Sequence, residues 1–127
     1  MPIQTDSSLA AVSLFHSLAE PTRLAIVRQL QGGEARVRDL VETLGLAQST
    51  VSEHVACLRD CGLLEGRVDG RQVFYALSRP ELMDLLKAAE VLLEATGYKV
   101  DLCSVHGSQA RRATAVRANT LAGKFKA

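Results

Sequence analysis

Residues 48–62 read QSTVSEHVACLRDCG, and their spacing decides how the rest of the chain is understood. Val51, Val55 and Leu58 recur at i, i+4 and i+7, one stripe of a 3.6-residue helix turned toward a core. The front of that helix is short and polar. Gln48, Ser49, Thr50, Ser52 and His54 can reach base edges and phosphates if the helix enters a DNA groove. Toward its end Cys57 and Cys61 lie four residues apart on one face, with Cβ atoms roughly 5–6 Å from each other. Two thiolates at that separation can chelate one soft metal ion. DNA reading and metal binding therefore share a single predicted helix.

Upstream, Leu9, Val12, Leu14, Phe15 and Leu18 follow helical spacing, so a first helix is expected over 8–18 after a flexible lead at 1–7. Pro21 suits the first turn of a second helix, whose buried positions are Leu24, Ile26, Val27 and Leu30, and Gly32 and Gly33 stop it. Val37, Leu40, Val41 and Leu44 mark a short third helix ending at Gly45, and Gln48 opens the fourth after only Leu46 and Ala47. Helix, tight glycine turn, helix is the helix-turn-helix pattern. Any all-α domain can contain such a corner, so this spacing alone leaves DNA binding open.

Downstream of Gly62, LLEGRV and RQVFYAL stand on either side of Asp69-Gly70, the dipeptide that signals a tight hairpin, and the pair reads as a wing. Arg67 and Arg71 flank its tip, where guanidinium groups could meet phosphates or a narrow minor groove; they would equally solvate an exposed hairpin. Residues 81–96, ELMDLLKAAEVLLEAT, are apolar over more of the circumference than one core-facing stripe needs. A second copy of the chain is the simplest cover, which predicts a homodimer. Gly97 ends this helix, residues 98–103 add a short extension with the third cysteine, and 104–127 mix Ala, Arg, Ser, Thr and Gly without an apolar stripe. The expected organisation is a mainly α winged helix-turn-helix and dimerisation domain over 8–96, followed by an extension and basic tail over 97–127.

Composition sets limits on function. With 127 residues, 47% of them hydrophobic, the chain has room for one compact domain. Its net charge of +1 is uneven: residues 104–127 carry five bases and no acid, while the preceding 103 hold all 14 acids and 10 of the 15 bases. The body is therefore no generic polyanion binder, and nucleic-acid affinity must come from local patches or the tail. The polar N-terminus and the lack of any apolar run near about 18 residues predict a cytoplasmic protein without membrane attachment. Three cysteines argue against a disulfide framework. No Gly-rich phosphate loop and no nucleophile with an identifiable base is present, so an enzyme is not expected.

Glu20-Pro21-Thr22-Arg23 opening a helix, then LGLAQSTVSEHVACLRDCGLL, then EGRVDGRQVFYAL, resembles the ArsR/SmtB-type winged-helix metalloregulators over roughly residues 8–96. The resemblance implies a homodimeric repressor that binds double-stranded operator DNA when metal-free and releases it on binding a metal ion. It also implies a dimer built from the first and last helices. Arsenic sensors of this type commonly carry Cys-x-Cys before the turn, where this chain has VRDLVETLG; zinc and nickel sensors carry histidines in the last helix, which here has none. The remaining set, Cys57, Cys61 and Cys103, is similar to the CmtR type of cadmium and lead sensor, which implies a site closed by Cys103 across the dimer. One departure is Ala47, where relatives often place a capping Ser; Ser49 or Thr50 would have to supply the missing acceptor.

Three thiolates form a soft donor set that favours Cd²⁺ or Pb²⁺, with As(III) or Zn²⁺ as alternatives. Zinc would want a fourth ligand, and His106 is the candidate. Two other readings of the cysteines stay open: simple partial burial beside Val55 and Leu58, and oxidation sensing, although cysteines four apart would have to distort a continuous helix to join. His54 either touches DNA backbone or packs at the turn, and His16 is read as structural. A winged helix that binds protein rather than DNA is the rival outside the regulator class.

Overall fold

The computed structural model describes the backbone of residues 2–103 and the side chains of residues 8–103. His106 and the basic stretch 104–127 lie outside the described residues. The chain divides into two compact units, Met1–Arg79 and Pro80–Ala127.

In the first unit, helices α1 (Pro2–Leu18), α2 (Pro21–Leu30), α3 (Val37–Leu44) and α4 (Gln48–Asp60) precede an antiparallel hairpin of β1 (Leu64–Asp69) and β2 (Gln72–Leu77). The expected stripe of α4, most of that of α2 and Leu40 of α3 form its core. Ile26 and Val27 of α2, Leu40 of α3, and Val51 and Leu58 of α4 are completely buried, with Leu30, Val55, Leu63 and Leu64 nearly so. Each such side chain contributes about 1.5–3 kcal/mol relative to exposure, enough to hold short helices that would not be stable alone.

Gly45 closes α3 in the left-handed conformation, φ 68°, and its N–H donates to Val41 O at 2.9 Å. A side chain there would be strained, so glycine is what permits the sharp turn into α4. At the head of α3, Asp39 Oδ2 accepts from the backbone N–H of Arg36 at 3.0 Å, while the Arg36 guanidinium holds both carboxylate oxygens at 2.9 Å.

Three details differ from the sequence reading. First, α1 begins at Pro2, earlier than the expected start at Ser8, because apolar spacing marks a helix's face and not its end. That face looks outward: Leu9, Val12 and Phe15 are about 60% exposed, at 61%, 63% and 58%. Second, the hairpin turns at Gly70-Arg71, one residue beyond Asp69-Gly70, since Asp69 pairs with Gln72. Gly70 takes φ 64°, and Arg71 sits in the turn itself. Third, Ala35 and Tyr75 exchange both backbone hydrogen bonds, at 2.9 and 2.8 Å, so the segment before α3 adds a one-residue third strand to the wing.

The second unit is built on α5 (Glu81–Ala95), with Leu82 and Leu86 buried and Val91 and Leu92 exposed at 69% and 67%. After Gly97 the chain doubles back along this helix. Glu90 Oε2 accepts from the backbone N–H groups of Leu102 and Cys103, the latter at 3.1 Å, and Leu102 is buried. The extension is therefore not the free tether that its length allows.

Candidate functional site

Gln48 and Ser49 at the start of α4 are exposed, and Thr50 and Ser52 are half-buried. Ala47 caps the helix without a side-chain bond, so its first N–H groups stay open to solvent or to a phosphate. His54 does not belong to this front. Its Nδ1 lies 3.5 Å from Arg23 Nη1 and its Nε2 lies 3.6 Å from Glu20 Oε2. Of the two alternatives for His54, the structure places it packed against the α1–α2 corner, because position 54 falls on the edge of the Val51, Val55 and Leu58 stripe.

That corner is organised by Glu20 and Arg23. Glu20 Oε2 caps α2 by accepting from Arg23 N at 2.8 Å. Burial opposes the charge on Glu20, but the backbone N–H groups of Arg23 and Thr22, with His54 and Arg23 nearby, bring its pKa below the ordinary carboxylate value. The Arg23 guanidinium donates to the last carbonyls of α1, to Ser17 O at 2.7 Å and His16 O at 3.3 Å. The Glu20-Pro21-Thr22-Arg23 motif thus pins α1, α2 and α4 together. Its partner His54 lies thirty-one residues further along the chain, and only their contact reveals the role.

On the wing, Arg67 is engaged within the fold. Its Nε donates to Glu34 Oε2 at 3.2 Å, its Nη2 to Glu34 Oε1, and Asp69 Oδ2 lies 3.7 Å from Nη1. Its guanidinium also lies over the Phe74 ring, 4.9 Å from the centroid, and Arg36 approaches the same ring at 5.6 Å. Hydrogen bonding to Arg67 holds Glu34 below the usual carboxylate range and raises Arg67 in turn. Arg71, by contrast, is exposed at the turn and forms no salt bridge among the described residues.

All three cysteines are free thiols: Cys57 half-buried, Cys61 exposed at the C-terminal cap of α4, and Cys103 half-buried in the second unit. Ser17 Oγ lies 2.8 Å from Cys61 Sγ and 2.9 Å from Ser13 O. A hydroxyl has one proton, so while Ser17 donates to Ser13 O it accepts from the Cys61 thiol. Cys103 Sγ points toward Met83 O at 4.0 Å. Burial, with the Glu90 carboxylate beside it, pushes this thiol up to about 11. Among the described residues no three His, Cys, Asp or Glu side chains of one chain gather as a metal ion would require. Cys57 on α4 and Cys61 at its C-terminal cap are therefore two free thiols without a third donor of the same chain beside them among the described residues.

A two-stranded wing following a helix, a glycine turn and a polar-fronted helix defines a winged helix-turn-helix. Residues 20–65 match the family described as bacterial regulatory protein, arsR family. The chain is 36% identical over 90 residues, 71% of its length and 72% of the relative's, to the probable mercury resistance operon repressor of Streptomyces lividans. It is 44% identical over 73 residues to the HTH-type transcriptional regulator CmtR of Mycobacterium bovis, covering 58% of this chain and 62% of that one. The solved structure of HlyU from Vibrio cholerae superposes with a TM-score of 0.61 at 36% identity, over 68% of this chain and 94% of that one. The chain belongs to the arsR family of bacterial regulatory proteins, a family of transcriptional regulators and not of enzymes. Among the described residues no helix is long and apolar enough to cross a membrane.

Proposed function

We propose that this protein is a cytoplasmic, metal-responsive transcriptional repressor that binds operator DNA as a homodimer and releases it on binding a soft metal ion. The observation that carries this reading is that Cys57 lies on α4 and Cys61 at its C-terminal cap, the same helix that presents Gln48, Ser49, Thr50 and Ser52. The exposed apolar stripes of α1 and α5 support the dimer, since each leaves large side chains in water that a second copy would cover. Gln48, Ser49, Thr50 and Ser52 would enter the major groove, and Arg71 would reach the flanking backbone.

Cys57, Cys61 and Cys103 are the proposed ligands, with Cys103 supplied by the partner subunit. Two free thiols at the end of α4, and a third cysteine whose backbone N–H donates to Glu90 in the other unit, support this arrangement. When bound, the ion would replace the thiol protons and draw the three sulfurs together. Cys57 and Cys61 would then fix α4, and Cys103 the α5 unit, so the spacing of the two reading helices would be set by the ligands. Only a difference in metal affinity between DNA-competent and DNA-incompetent states can cause release; couplings of about 1–3 kcal/mol correspond to roughly 5- to 150-fold. Cd²⁺ and Pb²⁺ are the preferred inducers on donor softness and the likeness to CmtR, with As(III), Zn²⁺ and, from the Streptomyces relative's name, Hg²⁺ next.

The test is a gel-shift assay on the DNA upstream of the protein's own gene, with and without each of these ions. Binding by the metal-free protein and release by Cd²⁺ or Pb²⁺ is expected. Binding unaffected by any metal would remove the sensor reading and keep the repressor, and no DNA binding at all would favour a protein-interaction domain.

A further inference from the structure

The wing and the head of α3 enclose a shallow depression of about 290 Å³ lined by Arg36, Val37, Arg38, Arg71, Gln72 and Tyr75, among others. The three arginines are not equivalent. Arg36 is committed to Asp39 through a bidentate pair and lies against Phe74. Arg38 and Arg71 are both exposed, and neither forms a salt bridge among the described residues. Arg38 stands at the second position of α3, beside the same rim. Gln72 supplies an amide beside them. Two uncommitted guanidinium groups and an amide around one concavity suit an oxygen-rich monoanion of phosphate size.

Resting on the DNA-binding reading above, we infer that Arg38 and Arg71 together hold one backbone phosphate of the operator beside the wing. Arg38 then takes the second place at the wing that the sequence suggested for Arg67, whose charge is already spent on Glu34 and Asp69. DNA is the occupant because Arg71 occupies the hairpin turn, the part of a wing that approaches a duplex, and because the charge is complementary. The contact reads no bases, so it orients the wing and contributes affinity equally to all sequences.

The experiment measures affinity for the upstream DNA and for random duplex between about 50 and 200 mM salt, for the metal-free wild type, Arg38→Ala, Arg71→Ala, Arg38→Lys and Arg67→Ala. Arg38→Ala and Arg71→Ala should each flatten the slope of log K against log[salt] by about 1, with equal loss on both DNAs. Arg38→Lys should keep the slope, and Arg67→Ala should leave it nearly unchanged. Since Arg38 is exposed, its variants should unfold at the wild-type temperature, which separates lost contact from lost fold. A wild-type slope in Arg38→Ala overturns the inference while the repressor reading stands. A wild type without DNA affinity overturns both.

Discussion

Ser17 Oγ, buried at the end of α1, lies 2.8 Å from Cys61 Sγ at the C-terminal cap of α4, forty-four residues later in the chain. The proposed metal ligand is thus already in contact with the helix whose apolar stripe faces out of the chain. Ser17→Ala removes this contact and the bond to Ser13 O together. A loss of about 1 kcal/mol in unfolding free energy is expected, measured by denaturant titration. Loss of the contact should also increase Cys61 alkylation by iodoacetamide relative to that of Cys57.

Arg23 joins the last carbonyls of α1 to the side of α4 that carries His54. Arg23→Gln keeps one donor but cannot reach all these partners, so a loss of about 1–2 kcal/mol is expected on the scale for charged hydrogen bonds. His54→Ala should likewise lower stability, and it should change specific and random DNA affinity by the same factor. A selective loss of operator affinity in His54→Ala would return this histidine to the reading surface.

Asp39 links to Arg36 through side-chain and backbone bonds that lower its pKa to about 2 in the folded chain, from an unfolded value near 3.9. A depressed carboxylate stabilises the fold fully above the unfolded value, and that contribution disappears as pH falls through the folded one. Unfolding measured between pH 4 and 2 should therefore show a loss that Asp39→Asn lacks. The carboxylate's NMR titration should have its midpoint near 2. A midpoint near 4 would show the pair to be ineffective in solution.

The helices and their buried stripes were legible because their signals are local: Val51, Val55 and Leu58 need only a period, and Gly45 needs only its place before Leu46. What depends on distant partners was not. Glu34 captures Arg67 from thirty-three residues away, and nothing in EGRVDG announces it. The wing turned one residue late because pairing from Leu64↔Leu77 to Asp69↔Gln72 outweighs the local preference of Asp69-Gly70. Nothing in the apolar pattern of residues 81–96 announces that Glu90 folds the extension back by accepting from the backbone of Leu102 and Cys103. Gln48 and Ser49 are exposed at the front of α4, whereas the choice between the two roles open to His54 depended on Glu20 and Arg23, more than thirty residues earlier.

If three thiols and DNA compete through α4, one titration reads both. Metal-free protein bound to fluorescently labelled upstream DNA is titrated with Cd²⁺ while anisotropy and thiolate-to-metal charge-transfer absorbance are read from the same sample. Both signals should change together and saturate at one equivalent per subunit. Cys57→Ser with Cys61→Ser, and Cys103→Ser alone, should each abolish release without weakening DNA binding. Charge transfer that saturates while the DNA stays bound, or release that persists in both variants, would contradict this competition.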